Sequence, residues 1–112
     1  MSRDELNAIL ADQLQECSPD QQSFFTQVAG RPAKWQQSPW GNAGGGFWVV
    51  AIRDGRVLWY NDIEHGFNVS RFVTTGIIPD SEYWCNQDEL RWALPRLAGE
   101  RGVNLGPPQP VL

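Results

Sequence analysis

The densest hydrophobic pattern of the chain lies near its centre, where two apolar runs, residues 47–52 and 57–60, flank an Asp54-Gly55 pair. An Asp-Gly pair between two such runs is typical of the turn of a β-hairpin. Neither run alternates apolar with polar residues, as a strand with one face in water would. The pattern therefore predicts a central hairpin that is covered on both faces.

A two-residue turn fixes the pairing of the two predicted strands and places Val50 opposite Trp59. Strict alternation then divides the side chains between the two faces of the sheet. One face carries Ile52, Val57, Val50, Trp59 and Trp48, and the other carries Ala51, Leu58, Val49, Tyr60 and Phe47. The same register puts Arg53 opposite Arg56, an unfavourable like-charge pair, so a longer turn is the alternative.

Two segments before the hairpin show apolar residues at helical spacing. Ser2, followed three residues later by Glu5, forms a capping-box pattern ahead of a helix over residues 3–16. The proline of Ser18-Pro19 lies at the first position of a second helix, where its missing N–H has no cost. These patterns predict two N-terminal helices.

The chain after the hairpin predicts more strand and a final helix. Residues 67–74 are rich in β-branched and aromatic side chains, which favours a third strand, and residues 81–85 are expected to add a short fourth. A helix follows the capping pattern Asn86-Gln87-Asp88-Glu89, and Pro95 predicts a kink or break near Leu94 because proline has no N–H. Residues 99–112 are rich in glycine and proline and predict an extended tail.

These elements together predict one α+β domain over residues 1–98. Its antiparallel sheet has three to four strands built on the central hairpin, with two N-terminal helices and one C-terminal helix. A chain of 112 residues can bury a core without disulfides. Cys17 and Cys85 match no metal or redox spacing, so we expect both to be small buried hydrophobes.

Charge and composition narrow the classes of partner. The formal net charge is −4 and the nine Lys and Arg residues are scattered along the chain, so we expect no binding to nucleic acid or to an anionic membrane. The N-terminal residues show no signal-peptide pattern and the longest apolar run, residues 47–52, is too short to span a bilayer. We therefore expect a cytoplasmic, non-enzymatic protein that needs no cofactor.

The chain holds six tryptophans. Trp35 and Trp40 fall within residues 31–46, which show no hydrophobic period, and their neighbours are Gln, Ser, Pro, Asn and Gly. That composition is typical of a recognition surface. The alternative is that both indoles fold back over the sheet, because a sheet face without a helix needs a cover.

A polar cluster follows the hairpin and consists of Asn61, Asp62, Glu64 and His65. Two carboxylates and an imidazole have the chemistry to ligate a metal or to share proton transfer. Their spacing matches no metal motif, and on a strand His65 would point away from both carboxylates. A polar turn whose carboxylates cap local N–H groups is the simpler interpretation.

The order of N-terminal helices, a Gly-Gly start to a hairpin, an acidic segment and a capped C-terminal helix resembles the SUKH superfamily. The resemblance covers residues 44–64 and 86–97. That family includes bacterial toxin-immunity proteins. The resemblance implies an acidic protein that binds and blocks a toxin, without catalytic residues.

Three hypotheses about function follow. In the first, the protein is an interaction module, in one version an immunity or inhibitor protein, whose surface around Trp35, Trp40 and residues 62–64 binds another, basic protein. In the second, the polar cluster lines a pocket of a small-molecule or sugar-binding protein or of an enzyme. In the third, the sheet face without helices forms a homodimer.

Overall fold

The computed structural model describes residues 1–99. Its elements, in chain order, are α1 (Arg3–Leu14), α2 (Pro19–Val28), β1 (Ala29–Trp35), α3 (Trp40–Ala43), β2 (Phe47–Arg53), β3 (Arg56–Asn61), β4 (Gly66–Arg71), a 3-10 helix (Asp80–Glu82) and α4 (Leu90–Ala98). The four strands form one antiparallel sheet in the order β1-β2-β3-β4. The predicted α+β fold, with two N-terminal helices and a C-terminal helix, is confirmed. Apart from Gly99, the predicted tail lies outside the described residues.

Both N-terminal helices begin at the predicted serines. The Ser2 hydroxyl accepts a hydrogen bond from the Glu5 N–H at 3.1 Å, and the Glu5 carboxylate accepts one from the Ser2 N–H at 2.8 Å. The Ser2 N–H and, to a lesser extent, the Ser2 hydroxyl lower the pKa of the Glu5 carboxyl group. Ser18 and Gln21 form the equivalent capping box at the start of α2. The local capping pattern therefore fixes where each helix starts.

The hairpin has the predicted two-residue turn, with Asp54 at φ 49° and Gly55 at φ 75°. Beyond the turn the pairing shifts by one residue at Val50, so Val49 rather than Val50 lies opposite Trp59. The predicted register is therefore wrong for the first half of β2. The cause is a β-bulge, which adds one residue to one strand and which alternation alone does not reveal.

The bulge determines which side chains share a face. The helix-covered face holds Val50, Ala51, Leu58, Tyr60 and Phe67 together with the buried residues of α1, α2 and α4. The opposite face holds Trp35, Phe47, Val49, Val57, Trp59 and Ile78. Residues 47–50 thus lie on the faces opposite to those predicted, whereas Ala51 and residues 57–60 keep theirs.

The chain after β4 covers the second face of the sheet. Ile78 is fully buried there, and the Tyr83 ring lies 6.0 Å from the ring centroids of both Phe47 and Trp59. Residues 81–85, predicted as a fourth strand, instead include the end of the 3-10 helix and irregular chain. The prediction that both faces are covered is confirmed, although the covering segment differs from the one expected.

The C-terminal helix continues through Pro95 to Ala98, so the predicted break does not occur. Proline removes the N–H that would bond the Arg91 carbonyl. In this fold the Gln21 side chain donates to that carbonyl at 2.9 Å instead. None of the helices within residues 1–99 combines the length and apolar composition needed to cross a membrane.

The two cysteines differ in their surroundings. Cys17 is buried, as expected, and its burial raises the pKa of the thiol to about 11. Cys85 is exposed, so its prediction as a buried hydrophobe is wrong. Because residues 81–85 form no strand, Cys85 has no sheet face against which to pack.

We expect iodoacetamide at pH 8 to modify Cys85 in the folded protein much faster than Cys17. With a pKa of about 11, roughly one Cys17 thiol in 1,000 is ionised at that pH, and the thiolate is the reactive form. Mass spectrometry of the alkylated peptides over time measures both rates. In urea both cysteines should react at similar rates, and equal rates in the folded state would contradict the prediction.

Candidate functional site

The two tryptophans of residues 31–46 lie in different environments. Trp35 is the last residue of β1, is 5% exposed and packs edge-on against Phe72 with ring centroids 5.1 Å apart. Trp40 begins α3 and is 55% exposed. The prediction that both indoles lie in a recognition loop is therefore wrong for Trp35, because residues 31–35 belong to β1, an edge strand of the sheet.

A buried glutamine holds Trp40 in place. The Gln37 side chain is 1% exposed, and its oxygen accepts hydrogen bonds from the N–H groups of Trp40 at 3.1 Å and Gly41 at 3.0 Å. Its nitrogen donates to the Ser38 carbonyl at 2.7 Å. A Cβ atom at Gly41 would lie 2.8 Å from the Phe47 ring, so this turn packs directly on the core. The backbone that presents Trp40 is therefore well fixed.

Tyr83 connects Trp40 with the end of the hairpin. Its ring centroid lies 6.3 Å from that of Trp40, and its hydroxyl accepts a hydrogen bond from the Asn61 side chain at 3.1 Å. Tyr83 also packs on the buried rings of Phe47 and Trp59. An aromatic path thus runs from the core to the exposed indole, and the polar turn after β3 contacts the same tyrosine.

Asn61 organises the turn that contains the predicted polar cluster. It is fully buried, and its nitrogen donates to the Tyr83 hydroxyl and to the Trp84 carbonyl, both at 3.1 Å. Its oxygen accepts from the N–H groups of Ile63 at 3.0 Å and Glu64 at 3.1 Å. The amide of Asn61, rather than a carboxylate, caps the turn. Its four contacts define a structural role.

The remaining members of the polar cluster lie at the surface of this turn. Asp62 forms an ion pair with the amino group of Met1 at 3.6 Å and is 33% exposed. Burial, and to a lesser extent the Asp62 charge, raises the pKa of the Tyr60 hydroxyl. His65 is exposed and has a left-handed backbone, φ 61°. Within residues 1–99 no three His, Cys, Asp or Glu side chains are grouped so as to hold a metal ion.

These contacts define a candidate surface made of Trp40, Tyr83 and the turn at residues 61–65, which we call the Trp40 surface. Besides the indole and the carboxylates of Asp62 and Glu64, it includes Ile63, which is 50% exposed. The sequence singled out Trp40 and the turn but missed Tyr83 and Gln37. Tyr83 has no local pattern that marks it, because it acts through contacts with residues distant in the sequence. Gln37 bonds residues one to four positions later, but its role depends on its burial, which the sequence does not show.

Comparison of the chain with protein-family models, with curated proteins and with solved structures found no match.

Proposed function

We propose that this protein is a small, non-enzymatic module that binds another protein through the Trp40 surface. The observation that carries the proposal is the position of Trp40, an indole more than half exposed on a short helix whose backbone a buried glutamine fixes. Tryptophan is enriched among the residues that dominate binding energy at protein interfaces. A side chain presented on a fixed backbone also loses little conformational entropy on binding.

The charge of the turn at residues 61–65 supports a basic partner. Asp62 and Glu64 lie in the turn next to Asn61, and the whole chain carries a formal net charge of −4. Carboxylates at the rim of an interface accelerate association with a positively charged protein and make binding sensitive to salt. The resemblance to the SUKH superfamily supports the version in which the partner is a bacterial toxin and this protein blocks it.

The pocket hypothesis receives less support from the same residues. The side-chain amide of Asn61 is already hydrogen-bonded to the Tyr83 hydroxyl and to backbone groups, so it is not free to bind a ligand. His65 is exposed and has a left-handed backbone conformation. A turn held together by one buried amide presents its outer side chains to a partner more readily than it encloses a ligand. The interaction hypothesis therefore explains more of the geometry.

We expect Trp40→Ala to weaken binding of the partner at least tenfold, equivalent to about 1.4 kcal/mol, because the indole supplies the apolar centre of the interface. Affinity capture from an extract of the native cells identifies the partner, and isothermal titration calorimetry with purified proteins gives the dissociation constants. The free energy of unfolding should change little, since the side chain is 55% exposed.

The matched control for this experiment is Trp92→Ala, which removes another exposed tryptophan, 37% exposed, from α4. We expect that variant to bind the partner as tightly as the wild type. Raising the salt concentration from 0.05 to 0.5 M should slow association with the wild type. A partner that binds the wild type and the Trp40 variant equally well would contradict the assignment of this surface.

A further inference from the structure

A second feature lies at the edge of β4 that faces away from β3. A cleft of about 340 Å³ opens there between β4, the irregular chain before α4 and α4 itself. Its lining includes Trp84 and three arginines, Arg56, Arg71 and Arg96. It shares no lining residue with the Trp40 surface.

Strand pairing brings two of these arginines together. Arg53 lies directly opposite Arg56 in the β2–β3 pair, and Arg56 lies directly opposite Arg71 in the β3–β4 pair. Residues that are directly opposite share one face of a sheet, and like charges in such positions destabilise it. The fold thus places a row of three positive charges across three strands.

The first arginine of the row has partners within the protein. Arg53 donates to the carbonyl of Ala98, pairs with Asp54 at 3.5 Å and lies over the ring of Phe24. The ion pairs formed among residues 1–99 include neither Arg56 nor Arg71. Neither of the two arginines of the row that line the cleft therefore forms an ion pair with a carboxylate in the described part of the chain.

The other charged groups of the cleft are already engaged. Arg96 pairs with Asp88 at 2.7 Å, which orients its guanidinium, and Glu82 accepts a hydrogen bond from the backbone N–H of Arg71 at 2.9 Å. With three arginines and one glutamate, the lining carries a net positive charge in a protein whose formal net charge is −4. The positive charge of the cleft favours an anionic ligand.

The edge of β4 adds a backbone donor. The N–H of Phe67 bonds the Asp88 carbonyl at 2.8 Å, and that of Arg71 bonds Glu82, so alternate residues of β4 direct their N–H groups away from β3. Val69 lies between these two residues and lines the cleft. No hydrogen bond joins its N–H to another group within residues 1–99, which leaves this donor for a ligand.

We propose that this cleft binds a small organic anion in which a phosphate or carboxylate group is attached to a flat ring. Guanidinium groups match both anions through paired hydrogen bonds, and a tryptophan face stacks on flat rings. Trp84, at 41% exposed, is placed for that contact. The volume lies at the lower end of small-molecule sites. The proposal is independent of partner binding by the Trp40 surface.

The test is a titration of the ¹⁵N-labelled full chain with adenosine monophosphate, benzoate, inorganic phosphate and adenosine, followed by NMR. We expect saturable shifts of the Val69 amide and the Trp84 indole N–H with adenosine monophosphate or benzoate. Arg71→Gln should weaken that binding at least tenfold, and Trp84→Leu should weaken it while leaving phosphate binding unchanged. Arg31→Gln, which removes an exposed arginine of β1, is the matched control and should change nothing.

The pattern of binding distinguishes the sources of the anion. Tighter binding of adenosine monophosphate supports a phosphate-bearing ligand, and tighter binding of benzoate supports a carboxylate. Equal binding of adenosine and its monophosphate, or binding that Arg71→Gln leaves intact, would overturn the proposal. If the Arg71 variant melts at a lower temperature, Arg56→Gln repeats the test, and capture of the protein partner by both variants shows that the Trp40 surface is unaffected.

Discussion

Replacing Gly66 by alanine is expected to lower the free energy of unfolding by about 3 kcal/mol, a large share of the stability of a domain of this size. A Cβ atom at this position would overlap the Asn86 carbonyl oxygen and the Gln87 Cα atom and would lie 2.7 Å from the Asp88 nitrogen. All three neighbours are backbone atoms, which move only if the chain moves. Alanine therefore displaces the segment that closes the edge of β4.

That displacement breaks hydrogen bonds that join residues 67 and 68 to residues 86–88. The Phe67 N–H bonds the Asp88 carbonyl at 2.8 Å, and buried Asn68 exchanges two hydrogen bonds with the backbone of Asn86, at 3.1 and 3.2 Å. A buried amide left without partners costs about 1–3 kcal/mol. The lost hydrogen bonds thus account for much of the expected destabilisation.

Urea denaturation followed by circular dichroism measures this effect, and Gly30→Ala is the matched control. Nothing lies within 4 Å of a Cβ atom at Gly30, so we expect that variant to stay within about 0.5 kcal/mol of the wild type. Equal stability of the two alanine variants would contradict the prediction, because it would show that residues 86–88 can move aside without lowering the free energy of unfolding.

The parts of the fold that the sequence predicted depend on neighbours along the chain. The serines that begin α1 and α2 act on residues three positions later, and the Asp54-Gly55 turn joins adjacent strands. Strand β1 escaped prediction because Gly30 and Pro32 are poor strand formers. Its strand conformation comes from pairing with β2, a tertiary contact that overrides local propensity.

The residues of the candidate sites that depend on tertiary contacts also escaped prediction. Trp35 and Trp40 have similar neighbours in the sequence, so composition did not distinguish them. Trp35 is nevertheless buried, as the last residue of β1, whereas Trp40 is exposed. The scatter of basic residues along the chain predicted no positive patch, but strand pairing places Arg56 beside Arg71 and α4 adds Arg96. Only the register of the sheet reveals that cluster.

Gln21 is a further residue whose role depends on a distant contact. Its side chain is 4% exposed; its oxygen accepts from the Ser18 N–H at 3.0 Å, and its nitrogen donates to the Arg91 carbonyl at 2.9 Å. Pro95 removes the helical N–H that would otherwise reach that carbonyl. One side chain therefore caps α2 and supplies the donor missing from α4.

Gln21→Glu is expected to lower the free energy of unfolding at pH 7 by about 2–3 kcal/mol. The new carboxyl group keeps an oxygen for the Ser18 N–H, so the capping box survives, but it loses the nitrogen that serves the Arg91 carbonyl. Pro95→Ala restores a backbone donor to that carbonyl and should recover at least about 1 kcal/mol in the Gln21→Glu background. Urea denaturation of the wild type, both single variants and the double variant measures the coupling. Additive effects of the two substitutions would contradict the compensation.

The pH dependence of Gln21→Glu separates the lost donor from a mere packing defect. The capping hydrogen bond from the Ser18 N–H lowers the pKa of this carboxyl group, as it does for the exposed Glu5, but burial next to a carbonyl oxygen opposes that effect and is the larger one for a residue that is 4% exposed. We therefore expect the pKa to be higher in the folded than in the unfolded state. The folded variant then binds more protons, and its stability relative to wild type falls as the pH rises above about 4, the ordinary range of glutamate. Below that pH the protonated group can donate to the Arg91 carbonyl, and the penalty should shrink. If the loss of stability in Gln21→Glu stays constant from pH 3 to 7, the Gln21 nitrogen contributes nothing to α4. The helix would then continue past Pro95 only because its apolar face packs against the core.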